Sequence, residues 1–159
     1  MKITLVVVGK IKEHFYEEAL AEYRKRLSRY CKLEILQVAD EKTPDQASAA
    51  VETQIKNREG ERILAQIKEG TYVIALAIQG QMLDSVELAK KIHLLGVSGT
   101  GQITFVIGGS LGLSEAVLHR ADYLLSFSRM TFPHQLMRVI LLEQIYRAYR
   151  INCGEPYHK

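Results

Sequence analysis

Apolar positions follow two rhythms along the chain, one strand-like and one helical. Ile3 to Val8 is a continuous apolar run rich in β-branched residues, the pattern of a strand covered on both faces. From about Lys12 to Tyr30 the spacing turns helical, and it predicts a stripe of Phe15, Ala19, Tyr23 and Leu27 with charges opposite. Leu33 to Val38 reads as a second strand, and the polar Asp40–Ser48 stretch with Pro44 as a loop. A polar helix follows from Ala49 to Lys68, with Gly60 as its weak point. Tyr72 to Ile78 forms a third strand ended by Gly80. Asp84 or Ser85 then caps a helix to Leu95, before a Gly96–Gly101 loop. Ile103 to Ile107 is a fourth strand, Ser114 caps a short helix, and Tyr123 to Phe127 is a fifth strand. Pro133 opens a final helix to about Arg150.

Strands alternating with helices in this way predict an α/β fold, a mostly parallel sheet with helices on both faces. No repeat, low-complexity segment or linker interrupts the pattern, so residues 1–159 read as a single domain.

Composition narrows the classes. The chain is 47% hydrophobic and 25% charged, ordinary values for a globular protein. No apolar run reaches the ~18 residues of a membrane span. The N-terminal apolar stretch is too short for a signal peptide and lacks a cleavage site. Cys31 and Cys153 form no CxxC pair, which leaves metal and redox motifs unsupported and favours a reducing, cytoplasmic setting. Net charge is +3. Cations cluster early (Lys10, Lys12, Arg24, Lys25, Arg26, Arg29, Lys32) and again towards the C-terminus (Arg120, Arg129, Arg138, Arg147, Arg150, Lys159). Such clusters either neutralise phosphates or are solvated helix faces.

Ligands of open parallel sheets bind beyond the carboxyl ends of the strands. After the fourth strand comes Gly108-Gly109-Ser110-Leu111-Gly112, where glycines permit positive φ and close ligand approach, or simply a tight turn. The loop is neither a GxGxxG fingerprint nor a P-loop. After the fifth strand, Phe127, Met130 and Phe132 can sandwich an aromatic base, or serve as core, and Arg129 can meet an anion. His134 is either an acid or base, or a capping or packing residue, the second being favoured.

The final helix carries Leu136, Val139, Ile140, Glu143, Arg147 and Arg150 on one side and Leu141, Leu142, Ile145, Ala148 and Tyr149 on the other. Glu143 and Arg147 stand at i and i+4, a pairing worth ~0.3–0.5 kcal/mol. A helix apolar on so many sides needs a second partner, which points to a homodimer. Terminal Tyr157-His158-Lys159 can stack on a base, exchange a proton and contact a phosphate, or be a silent chain end.

Several stretches together resemble the SPOUT-class RNA methyltransferases, in particular the RlmH-type 23S rRNA pseudouridine N3-methyltransferases. These are Ile107–Leu113, the segment LSFSRMTFPHQ at 125–135, Tyr146-Arg147-Ala148 and the terminal Tyr157-His158-Lys159. Lys10 and Gln79-Gly80 also fit, and the likeness covers essentially the whole chain. The resemblance implies a C-terminal segment threaded as a trefoil knot, a homodimer, and S-adenosyl-L-methionine as cofactor. It implies cofactor contacts from Leu76, Gly108, Phe127, Ser128, Arg129, Met130, Thr131 and Phe132. It also implies methylation at N3 of a pseudouridine in a 23S rRNA stem-loop, on the assembled ribosome, with no metal and no membrane. His158 is the expected base or substrate-positioning group, Tyr157 stacks on the target base, and Arg147 stabilises charge on that base or orients a phosphate. Two other classes compete: a small nucleotide-binding oxidoreductase, which lacks its fingerprint here, and a non-catalytic ribosome-binding module.

Overall fold

In the computed structural model, which describes residues 1–159, five strands alternate with five helices. These are β1 (Lys2–Val8), α1 (His14–Leu27), β2 (Lys32–Val38), α2 (Ala49–Gln66), β3 (Tyr72–Met82), α3 (Ser85–Val97), β4 (Gln102–Ile107), α4 (Glu115–Arg120), β5 (Tyr123–Ser126) and α5 (His134–Asn152). All strand pairings are parallel, in the order β2-β1-β4-β3-β5.

Period-two alternation within each strand splits the core into two layers. Ile3, Leu5 and Val7 of β1 join Leu20 and Leu27 of α1, Leu88 and Ile92 of α3, and Leu141, Leu142 and Ile145 of α5. Val6 and Val8 point the other way, onto Ile63 of α2 and Val117 of α4. Helices α1, α3 and α5 therefore cover one face of the sheet, and α2 and α4 the other. No helix is long and apolar enough to cross a membrane.

Local chemistry explains where the elements differ from the sequence reading. The α1 stripe is rotated: Phe15 is 62% exposed, and Leu20 is buried instead. Four-residue steps advance 400° around a helix, so a stripe drawn from Phe15 to Leu27 drifts by about 120°. Helix α3 begins at a capping box between Asp84 and Glu87 and runs past Gly96. The left-handed glycine that closes it is Gly99, at φ +95°, whose N–H donates to the Gly96 carbonyl. Gly60 is no weak point: a Cβ there would collide with Ser114, so α2 crosses the N-cap of α4 where only glycine fits.

Gly80 does not end β3. The strand leaves its register after Leu76 and rejoins β5 at Gln81, so that Leu125 pairs with both Leu76 and Gln81. A Cβ on Gly80 would lie 2.6 Å from the carbonyl carbon of Leu124. The Ala77–Gly80 excursion thus folds directly over the backbone of β5.

Candidate functional site

A cleft of about 390 Å³ opens at the carboxyl ends of β3, β4 and β5, within the roughly 300–1,000 Å³ typical of small-ligand sites. Three stretches wall it: Leu76–Gln79, Ile107–Leu113, and Phe127–Met137 in part. Seven of the eight expected cofactor contacts line it together, namely Leu76, Gly108, Phe127, Ser128, Met130, Thr131 and Phe132. Arg129 lies in the same segment but is exposed and outside the lining. Lys56 and Glu115 bring one charge of each sign to the rim.

The glycine loop is a tight turn and a cleft wall at once. Gly112 donates its N–H to the Gly109 carbonyl at 3.1 Å, and only Gly112 has positive φ, at +90°. Gly108 and Gly109 stand where a side chain would be crowded. A Cβ on Gly108 would sit 2.9 Å from Leu113 Cδ2 and 3.0 Å from the Gly112 carbonyl carbon. One on Gly109 would lie 3.0 Å from the buried Glu59 carboxylate. Burial raises that carboxyl's pKa, and Glu59 accepts the Glu41 N–H at 2.9 Å, which anchors the 39–48 loop.

The Phe127–Phe132 segment has an unusual backbone. None of its N–H or C=O groups joins a backbone–backbone hydrogen bond. Its internal contacts run through two serines: Ser126 Oγ donates to the Ser128 carbonyl at 3.1 Å, and the Met130 N–H donates to Ser128 Oγ at 3.0 Å. The remaining main-chain donors and acceptors of the segment make no protein hydrogen bond and lie among apolar side chains, and Met130 is 74% exposed. That combination suits a planar heterocycle, whose faces are apolar and whose edges hydrogen-bond.

His134 opens α5 and lines the cleft, but Pro133 occupies the N-cap and no side chain caps the helix. The capping reading therefore fails; the ring lies beside Gly9, where an added Cβ would be 3.7 Å from His134 Cε1. Its Nδ1 is buried without a partner. Burial and the nearby Arg138 hold its pKa below the ordinary histidine value.

The expected catalytic residues gather elsewhere. The tail folds back onto α5, where Glu143 is the hub. Arg147 Nε donates to Glu143 at 2.8 Å, and the Tyr157 hydroxyl donates to the same carboxylate at 3.3 Å. The Tyr157 ring lies 4.7 Å from the Arg147 guanidinium and meets Tyr146 edge-on at 4.9 Å. Burial and the Glu143 carboxylate raise the Tyr157 pKa. Arg147 Nη1 is 3.2 Å from His158 Nδ1. A guanidinium can only donate, so Nδ1 accepts, and a neutral His158 carries its proton on Nε2. In the sequence, Glu143 is marked only by its helix face and its i−4 spacing to Arg147. Its role as hub depends on the tail's return, which no local spacing encodes.

This cluster is remote from the cleft within one chain. Met137 lines the cleft, and Arg147 lies ten residues further along a helix rising 1.5 Å per residue, about 15 Å away. No group of three or more His, Cys, Asp or Glu side chains gathers in a metal-binding arrangement.

A family described as predicted SPOUT methyltransferases matches residues 1–158. The chain is 67% identical to the ribosomal RNA large subunit methyltransferase H of Bifidobacterium adolescentis. It is 64% and 62% identical to the proteins so named in Clostridium novyi and Clostridioides difficile. Each of these alignments covers 100% of both chains. A solved structure of a probable methylase family protein from Haemophilus influenzae shares the fold, with a TM-score of 0.55 at 15% identity, over 99% of this chain and 70% of that one.

Proposed function

The chain belongs to the SPOUT methyltransferase family, and we propose that it transfers a methyl group from S-adenosyl-L-methionine to N3 of a pseudouridine in 23S rRNA of the assembled ribosome. The relatives' name, ribosomal RNA large subunit methyltransferase H, supports the substrate class. The observation that carries the cofactor reading is the largely uncommitted main chain of Phe127–Phe132 along a cleft of nucleoside size lined by both apolar and polar residues. Leu76 and Gly108 border the adenosine, and the free main-chain groups of Phe127–Phe132 meet the edges of adenine. Arg129 contributes its backbone to this segment, while its side chain points away from the lining. The trefoil threading is part of this reading and rests on family membership.

Bound there, the cofactor supplies a methyl group on a sulfonium centre already activated for in-line displacement. The chain's own work is positioning, which contributes up to ~7–11 kcal/mol when two reactants are held in line. Tyr157 stacks on the target base. His158, whose Nδ1 faces Arg147, presents Nε2–H as a donor to a base carbonyl, so positioning is favoured over proton abstraction. Arg147 stabilises the charge left when the imide proton passes to solvent water.

About 15 Å along α5 separates this cluster from the cleft of its own subunit. The reaction therefore joins the cleft of one protomer to the tail cluster of its partner in a homodimer. Work on ribosomes places the enzyme in the cytoplasm.

The test is transfer of a labelled methyl group to ribosomes from a strain lacking the activity, with mass mapping of the modified fragment. Label on one 23S pseudouridine is the expected result; no label on any rRNA would end the proposal. Mixed dimers of Arg147→Ala and Gly108→Ala chains, assayed at cofactor concentrations limiting for Gly108→Ala, should be more active than either variant alone.

A further inference from the structure

We propose that the concave surface where α1 gives way to β2 is a docking site for the phosphodiester backbone of the RNA substrate, a reading that rests on the function above. A cleft of about 650 Å³ opens there, and its lining holds three cations, Arg24, Arg29 and Lys32, and no carboxylate. Three nearby cations are neutralised: Lys2 pairs with Glu34 at 3.1 Å, Arg26 with Glu22 at 3.0 Å and Arg150 with Glu155 at 2.6 Å. Arg24 and Lys32 have no such partner, and Arg29 reaches Glu155 only at 4.0 Å. Three cations without a close carboxylate partner thus share one concavity. Offsetting the α1 dipole accounts for Arg24 in the last turn, but not for Lys32, which opens β2.

The cleft also leads to the tail cluster. Tyr30 lines it, lies 6.1 Å from the Tyr146 ring, and donates its hydroxyl to Glu155 at 2.9 Å. Tyr146 in turn meets Tyr157. A ribose-phosphate chain laid across Arg24, Arg29 and Lys32 therefore passes to the aromatic residue that receives the target base. Separate, exposed cations suit a polyanion, whose bound counterions they release, better than one small anion, which needs converging buried donors.

The experiment measures binding of the full-length chain to large ribosomal subunits across a salt titration, beside labelled methyl transfer. Arg24→Gln/Arg29→Gln/Lys32→Gln should reduce the slope of log affinity against log salt by about 3, near 1 per lost phosphate contact. Cofactor affinity by calorimetry and the circular dichroism spectrum should not change. A Lys42→Gln/Lys90→Gln control, away from the cleft, should leave the slope as in wild type. An unchanged slope in the triple variant, or an equal loss per charge in the control, overturns the docking site. Wild-type chain that binds with the expected slope but transfers no methyl group would refute the methyltransferase reading while leaving the docking site standing.

Discussion

Arg138 donates from Nη2 to the carbonyl oxygen of Val8 across 2.8 Å, pinning the start of α5 to the end of β1. The same nitrogen reaches the Gly9 carbonyl at 2.9 Å. Arg138 is 1% exposed with no carboxylate partner, and burial lowers its pKa to about 10.

Arg138→Ala leaves both carbonyls unpaired and opens a cavity, and it should lower the free energy of unfolding by roughly 2–4 kcal/mol. Urea denaturation reads this directly. A loss below about 1 kcal/mol would mean that the tether contributes little.

Arg147→Ala removes a partner of both Glu143 and His158 but lies far from the proposed cofactor cleft. Methyl transfer to ribosomes should fall about 100-fold, as when one transition-state donor is lost. Calorimetric affinity for the cofactor should match wild type. A parallel loss of cofactor binding would place Arg147 in the wrong site.

Gly108→Ala places a methyl group against Leu113 and the Gly112 backbone. Overpacking of this kind costs roughly 1–3 kcal/mol, and because the strained loop walls the cleft, cofactor affinity should weaken about tenfold or more. Unaltered affinity would remove the loop from the site.

His134 gives a pH signature. Its pKa in the folded chain lies below the ordinary value of about 6.5, so the unfolded chain takes up the proton first. The contribution of His134 is fully favourable above about pH 6.5 and is lost as pH falls towards its folded pKa. His134→Asn should therefore lose less stability than wild type between pH 7 and 5, measured by urea midpoints. Parallel curves would argue against a buried neutral imidazole.

Much of the fold is legible in the residues because β-branched runs and helical stripes are local signals. Asp84 and Ser114 as caps, and the apolar face of α5 through Leu141, Leu142 and Ile145, follow from short-range chemistry alone. The rest needs distant contacts. Arg138 sits in that apolar face, yet only the carbonyls of Val8 and Gly9, some 130 residues away in sequence, explain it. Gly60 and Gly80 read as breakers until Ser114 and Leu124 come against them. The motif segments indicated the cleft residues, but the distance between Arg147 and that cleft becomes visible only once α5 is an intact helix.

The cleft draws its walls from residues 76–79, 107–113 and 127–137. Nothing made before about residue 126 can enclose a nucleoside, because the third wall has not yet been synthesised. A nascent chain halfway out of the ribosome therefore lacks the third wall, and the whole cleft exists only once the last fifth of the polypeptide has been made. Ligand affinity measured on a series of C-terminal truncations would serve as a gauge of when folding is complete.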